Sequence, residues 1–297
     1  MIYARVEAIK NLRSVAECKK SMQSLQQIKK LLPKRTKLSN KTSGGKVLII
    51  GGGKGLYGAG ILAALSATKM GAGYTHLMSD LIKFPWIKFP DFILHPIKLA
   101  ELKNKIDFSI GIGPGLGIEN KNKKIILYLI KNNFKNVVVD ADALTLITSF
   151  NIAPLPATWI LTPHEGELAR LLKTTSSLIK KDRMNAIKQA RLKYGCTILL
   201  KGAKTLISSP STSKIISVQS GTPALSKAGT GDVLLGMIVA LRAQGLDSLN
   251  ASVLASFIHG KAAKLWEKEG NDHLSLRPTD LIADLPKVIA LIRNSGH

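Results

Sequence analysis

The segment of this sequence best equipped for chemistry is Gly229-Thr230-Gly231-Asp232. It closes a turn-rich run that begins at Gly221, and the strongly apolar stretch 233–241 starts directly after it. Glycines without Cβ let the backbone turn sharply and leave its N–H groups facing outward. At the start of a helix those groups lie at the positive end of the dipole and have no internal partner, which suits an anion such as phosphate. A carboxylate beside a bound phosphate is unfavourable unless it takes a proton from the group that attacks that phosphate. The segment therefore reads as phosphoryl-transfer machinery, with Asp232 as general base and the Gly-Thr-Gly backbone as anion hole. Taken alone, the same letters fit equally an Asp232 that merely caps a helix behind a glycine turn.

Other candidates follow short apolar runs. The stretch 51–60 holds Gly53, Gly55 and Gly58 in the G-x-G-x-x-G spacing of a dinucleotide fingerprint, and Asp80 ends the next apolar run. So glycine-dense a stretch satisfies many patterns, however, and no P-loop is present, since no Gly-Lys is followed by Ser or Thr. Gly111-Ile112-Gly113-Pro114-Gly115-Leu116-Gly117 allows either close backbone approach to a ligand or simply a tight strand-to-helix turn. Asp140-Ala141-Asp142 follows Val137-Val138-Val139, so Asp140 could bind a cation or substrate hydroxyl, or cap a helix. In Thr162-Pro163-His164-Glu165-Gly166-Glu167, His164 between Pro and Glu suits a ligand contact better than a core position. Glu167 could organise Mg²⁺ and its waters near a phosphate, or be an ordinary acidic residue of a first helical turn. Lys201-Gly202-Ala203-Lys204-Thr205 could lie against a nucleotide or form a plain hairpin turn.

The elements that must position these residues alternate. Residues 1 to about 32 carry Ile9, Leu12, Val15, Met22, Leu25, Ile28 and Leu31 at helical spacing, ended by Pro33. A polar, turn-rich linker follows to Lys46. Strands are expected at Lys46–Ile50, 74–79, 106–112, 136–139, 158–161 and Thr197–Leu200, most followed by a helical segment, with a helix at 61–70. Segments 204–208 and 214–218 read as a β-hairpin, residues 81–98 as a Pro-rich excursion with short edge strands, and the last eighty or so residues as largely helical. This rhythm implies an α/β fold with a mainly parallel sheet covered on both faces, whose ligands bind beyond the carboxyl ends of the strands. The domain division expected is a helical extension over 1–33 and one domain over 34–297.

The 297 residues suffice for one large α/β domain, and 45% hydrophobic content describes a soluble globular chain. No segment has the length and apolarity of a signal peptide or membrane span. Cys18 and Cys196 are too few for a disulfide framework or zinc site, which points to a reducing, cytoplasmic compartment. The formal charge of +24 could serve nucleic acid, an anionic membrane or small anions. Its Lys and Arg are spread along the chain without blocks or interleaved aromatics, so solvated faces are expected, with neither a nucleic-acid nor a membrane partner.

Taken together, the order and spacing of Gly-Gly…Tyr-Gly-Ala, Ile-Gly-Pro-Gly-Leu-Gly, Asp-Ala-Asp-Ala-Leu, Thr-Pro-His-x-Gly-Glu, Leu-Lys-Gly-Ala and Gly-Thr-Gly-Asp resemble the ADP/ATP-dependent NAD(P)H-hydrate dehydratases of the ribokinase-like superfamily. The resemblance runs over residues 30 to 295 or so. It implies a three-layer α/β/α sandwich and a reaction that returns the S-epimer of hydrated NADH or NADPH to the intact cofactor at the expense of ADP or ATP, with ADP favoured. By the same resemblance Asp232 is the catalytic base and also contacts the hydrated cofactor. Gly229, Thr230 and Gly231 form the anion hole on the nucleotide, and Lys201, Gly202, Ala203, Lys204 and Thr205 contact the nucleotide. Ala59, Gly115, Gly117 and His164 belong to the hydrated-cofactor site. Glu167 takes the place of the Glu in the magnesium-linked Asn-x-x-Glu motif, acting through water, with His164 in place of the Asn.

The chain departs from the family pattern at Ser226-Lys227-Ala228 and at Ser39-Asn40-Lys41, which replaces the more usual His-Lys-Gly. Many bacterial relatives carry an N-terminal epimerase domain, for which the leader here is too short, so a separate epimerase is expected. The family and the apolar pattern of the C-terminal helices suggest a homo-oligomer, with a tetramer as the expected state. Three rival readings remain: a vitamin-precursor kinase of the same superfamily, a Rossmann-type oxidoreductase built on Gly53–x–Gly55 and Asp80, and a nucleic-acid binder motivated by charge.

Overall fold

A computed structural model describes residues 25–80, 91–219 and 221–295. Most of the expected N-terminal helix and residues 81–90 of the Pro-rich excursion lie outside the described residues. Within them, the apolar runs become nine strands in one sheet: β1 (Lys46–Ile50), β2 (Tyr74–Met78), β3 (Ile93–His95), β4 (Ser109–Ile112), β5 (Val137–Val139), β6 (Ile160–Leu161), β7 (Thr197–Leu200), β8 (Thr205–Ser208) and β9 (Ile215–Val218). Their order is β3-β2-β1-β4-β5-β6-β7-β8-β9. Every pairing from β3 to β7 is parallel, and only the expected hairpin, β8 with β9, and its contact with β7 are antiparallel.

Side-chain alternation along the strands divides the core in two. Val47, Ile49, Leu77, Val138 and Leu199 face one layer, formed by α1 (Leu25–Leu31), α2 (Tyr57–Lys69), α8 (Thr230–Ala243), α9 (Ser248–Lys268) and α10 (Pro278–Asn294). Leu48, Ile50, Ile110, Val139 and Leu200 face the other, formed by α3 (Asn120–Lys131), α4 (Ala141–Ser149), α5 (Glu165–Leu172), α6 (Ser176–Lys181) and α7 (Arg183–Tyr194). The result is the three-layer α/β/α arrangement expected from the sequence. Ile28 of α1 is fully buried, and Lys29 Nζ donates to the Ser295 carbonyl at 2.7 Å, so this part of the extension is welded to the C-terminal helices. The apolar pattern of α10 that suggested assembly is consumed inside the protomer, where Leu281, Leu285, Val288 and Ile292 are buried.

Three boundaries differ from expectation. The helix read over 61–70 begins at Tyr57, because Gly58 and Gly60 join its first turn rather than the loop. A Cβ on Gly60 would stand 3.0 Å from Gly52 N, so its absence lets α2 start against the end of β1. The strand read over 106–112 begins only at Ser109, with Ile106 left exposed in the preceding turn. The segment 158–161 contributes only Ile160–Leu161. There Trp159 is buried and its Nε1 donates to the Phe134 carbonyl at 2.8 Å, while Thr158 donates to the Lys135 carbonyl, so these residues anchor the strand entry.

One packing detail sets the site. A Cβ on Gly236 would fall 2.0 Å from the Ala63 carbonyl oxygen, so α8 and α2 cross in near-backbone contact. Ser66 Oγ ties them, facing the Ala63 and Val233 carbonyls at 2.9 and 3.0 Å. Small residues therefore press α8 onto α2 and aim its N-terminus at the carboxyl edge of the sheet.

Candidate active site

Beyond the strand ends the parallel ladder continues by single bonds. Gly113 N donates to Ile50 O, Asp140 N to Ile112 O, Thr162 N to Val139 O and Lys201 N to Pro163 O. This aligns the four sequence motifs side by side. Because alternation carries on, Asp140 after Val139 and Lys201 after Leu200 both turn toward the face covered by α8.

There the side chains form a charge cluster. Lys201 Nζ lies 2.7 Å from Asp140 Oδ1 and 3.6 Å from Glu167 Oε2. Asp140 and Glu167 are buried. Burial alone would lower the Lys201 ammonium, but Asp140, Glu167 and Asp232 together hold it above its ordinary value. Asp232 occupies the first turn of α8. Burial, reinforced by Asp140 and opposed by Lys201, pushes its carboxyl up to about 7. A carboxyl at that value accepts a proton near neutral pH far more readily than an ordinary aspartate.

Capping, the alternative for each acidic residue, is decided case by case. The Asp232 side chain caps nothing, since the N-cap of α8 is Gly229 in the left-handed conformation with no side-chain bond. Asp140 stands at the N-cap of α4 but makes no side-chain cap; its carboxylate goes to Lys201. Asp142 instead accepts the Gly117 amide at 2.8 Å. His164 caps α5: its Nδ1 accepts from the Gly166 and Glu167 amides at 2.9 and 3.3 Å, while Glu167 accepts the His164 amide at 2.8 Å. Capping through Nδ1 leaves Nε2 as the donor nitrogen, on a side chain that is 55% exposed beside the site. His164 thus both caps and remains available to a ligand.

At the start of α8 two backbone amides are left unpaired. The first bond of α8 runs from Val233 N to Gly229 O, so the Gly231 and Asp232 amides precede it and have no intrahelical partner. Thr230 Oγ1 lies 2.9 Å from both the Leu225 and Lys227 carbonyls, bracing the turn from inside. His259 of α9, which belongs to none of the sequence motifs, adds a second brace from its Nε2 to the Thr230 carbonyl at 2.9 Å. Burial pushes this imidazole down to about 4, so it stays neutral and Nε2 acts as the donor. Gly229 has φ +93°, and a Cβ there would lie 2.7 Å from Pro278 Cγ. Gly229→Ala is expected to lower stability by about 1–3 kcal/mol in chemical denaturation, because both backbone strain and a clash arise.

These groups border a cavity of about 730 Å³, lined by Asp140, His164, Lys201 to Ala203, Thr205, Gly221 to Pro223 and the turn 225–232. It brings together every expected nucleotide residue except Lys204. Ala59, Gly115 and Gly117 lie outside its lining, at the crevice between β1 and β4 where the strand order reverses. Ala59 and Gly115 are neighbours there: a Cβ on Gly115 would stand 3.4 Å from that of Ala59. Asp142, bonded to Gly117, also contributes to raising Asp232. The dinucleotide fingerprint fails at the same crevice. Gly52 N and Gly53 N donate to Pro114 O and Gly115 O at 2.8 and 2.6 Å, so the amides that would cradle a pyrophosphate are already paired.

Among the described residues no cluster of three or more His, Cys, Asp or Glu side chains could cage a metal ion. Glu167 Oε2 is committed to the His164 amide and faces Lys201, whereas Oε1 makes no hydrogen bond to a described residue. A single available carboxylate oxygen fits a water-mediated contact to Mg²⁺ carried by phosphates, not a protein-only cage.

Residues 47–287 match the family model of the NAD(P)H-hydrate dehydratases. The chain belongs to this family. It is 35% identical over 263 residues to the bifunctional NAD(P)H-hydrate repair enzyme of Coxiella burnetii, covering 86% of this chain and 52% of that protein. The chain therefore spans about half the length of such bifunctional relatives. It is also 35% identical to the ADP-dependent (S)-NAD(P)H-hydrate dehydratase of Neisseria meningitidis, over 77% of this chain and 79% of that one. Among solved structures, the ADP/ATP-dependent NAD(P)H-hydrate dehydratase of Bacillus subtilis, co-crystallised with ATP and Mg²⁺, superposes with a TM-score of 0.79 at 28% identity, covering 91% of this chain and 97% of that one. The ribokinase-like sandwich and the dehydratase family, both expected from the sequence, are thus shown, and the Rossmann and nucleic-acid readings give way to them. Among the described residues no helix is long and apolar enough to cross a membrane.

Proposed function

We propose that this protein dehydrates the S-epimer of hydrated NADH or NADPH, using ADP in preference to ATP as phosphoryl donor. The observation that carries the reading is Asp232, a partly buried carboxyl pushed up to about 7 beside unpartnered helix amides at the edge of the cavity. Hydration leaves a hydroxyl on C6 of the reduced ring, and hydroxide is a poor leaving group. Asp232 takes the hydroxyl proton as the oxygen bonds to the terminal phosphorus of the nucleotide and the bond to the departing nucleotide breaks. The Gly231 and Asp232 amides receive the charge that develops on the transferring group. The C6–O bond then breaks with the ring nitrogen supplying electrons, phosphate departs, and loss of the C5 proton restores the double bond. Lys201, fixed by Asp140 and Glu167, keeps the acidic cluster balanced while the nucleotide's negative charge enters. Mg²⁺ bound with the phosphates, and through water to Glu167, would neutralise charge on the transferring group.

Hydrated NADH mixed with protein, Mg²⁺ and ADP should regain the near-ultraviolet absorbance of NADH, more slowly with ATP and not at all without nucleotide. A stable phosphorylated product without recovery would replace the dehydratase reading with a small-molecule kinase. The acid limb of kcat/KM should bend near pH 7, because the base must be ionised, with a fall of about tenfold per pH unit below it. A limb near pH 4 would mean that Asp232 keeps an ordinary carboxyl value in the working protein. A homo-oligomer acting in the cytoplasm completes the reading, its assembly state measurable by light scattering.

A further inference from the structure

Arg183, the first residue of α7, is not part of any motif in the sequence, yet it grips the loop between β7 and β8. Its Nη1 donates to the Lys204 carbonyl at 2.6 Å and its Nη2 to the Lys201 carbonyl at 2.9 Å. Its Nε lies 3.2 Å from Glu165 Oε1 at the start of α5. The guanidinium packs over Gly202, where a Cβ would stand 2.5 Å from Nη2. On the other side of the loop, Gly221 N donates to Ala203 O at 3.0 Å. A trans peptide sets N–H opposite to C=O. Drawing the Lys201 carbonyl toward Arg183 therefore turns the Gly202 amide away from it, and Gly202 lines the cavity. That amide makes no hydrogen bond to another described residue.

We propose that Arg183 is a positioning residue for the nucleotide: by holding the Lys201 and Lys204 carbonyls it presents the Gly202 amide to an acceptor atom of a bound adenine nucleotide. The inference rests on the reading that the 201–205 loop contacts nucleotide. It requires the guanidinium fork, since a lysine ammonium at this position could keep the charge opposite Glu165 but not span both carbonyls. Arg183 touches no reacting atom, so its loss acts on nucleotide binding and leaves the chemical step at saturating nucleotide in place.

The test is calorimetric titration of ADP into the wild-type protein, Arg183→Lys and Arg183→Gln, with KM and kcat measured for both substrates and melting temperatures in parallel. Arg183→Gln should raise the Kd and KM for ADP by about 10-fold or more, the size expected when hydrogen bonds from a charged donor are lost, with kcat and the KM for hydrated NADH within about 3-fold of wild type. Arg183→Lys, the variant that carries the test if the glutamine protein does not fold, should show the same split despite its retained charge. Unchanged ADP binding in either folded variant, or losses in kcat without a change in nucleotide KM, would overturn the inference. Failure of the wild type itself to bind ADP or ATP would instead remove the nucleotide reading on which it rests.

Discussion

Asp232→Asn should lower kcat by about 100- to 10,000-fold, the usual worth of a positioned general base, and at the same time make the protein more stable at alkaline pH. The two effects have one cause. Burial and the neighbouring Asp140 push the Asp232 carboxyl up to about 7 in the fold, well above the carboxylate range of an unfolded chain. A raised carboxyl favours the folded state only while it is protonated. Its contribution is fully present below about pH 4 and is lost as pH rises toward 7. At pH 8 the wild type therefore carries an ionised, desolvated carboxylate at a cost of about 2–4 kcal/mol, since each pH unit by which a carboxyl is raised is worth about 1.36 kcal/mol. Asparagine has nearly the same shape and no charge. Melting curves should show Asp232→Asn above wild type at pH 8 and the two converging near pH 4. Equal stability at both pH values would mean that Asp232 is not perturbed, and normal turnover by the variant would end its assignment as base.

Lys201→Met should be the most damaging single change to the fold of the site. The ammonium is 2.7 Å from Asp140 and 3.6 Å from Glu167, and it also opposes the rise at Asp232. Removing it leaves these carboxylates without a counterion in a desolvated place. Breaking a buried pair by deleting one partner typically costs about 3–5 kcal/mol. The deficit should shrink at pH 5, where the carboxylates can take up protons. Any residual activity should show its acid limb moved above pH 7, since the cation that held Asp232 down is gone. A second substitution, Asp140→Asn, should restore part of the lost stability, because each charge is harmful chiefly without the other. Additive losses in the double variant would show that the pair is not coupled.

Individual residues show how much was legible along the chain. The Lys-Gly-Ala-Lys-Thr loop and the Thr-Pro-His turn are local patterns at the ends of strands that their own apolar runs announce, and the Gly-Thr-Gly-Asp turn opens the helix whose apolar run follows it. The alternation of short apolar runs with helical periodicity sufficed for a mainly parallel sheet, and the spacing of all six motifs sufficed for the family. Element ends were less legible at 57–60 and 106–108. Glycine reads as loop in a sequence, whereas Gly60 is helical because α2 must approach β1 closely, and Ile106 looks like strand but is left in a turn.

Which side chain performs which task needed the tertiary structure. Asp140 and Asp142 are indistinguishable as letters, but one faces Lys201, 61 residues away, and the other holds the Gly117 amide. Arg183 and His259 lie outside every motif, and they matter only because α7 and α9 pack where their donors reach the loops at 201–205 and 229–232. The sequence by itself determined the strand-and-helix rhythm, the Gly-Thr-Gly-Asp turn and the family, because turn chemistry and periodicity depend on neighbours along the chain. Only the folded structure decided the charge cluster around Lys201, the raised Asp232 and the bracing of both loops. Those follow from strand order and helix packing, which bring distant residues within a few ångströms and exclude water from between them.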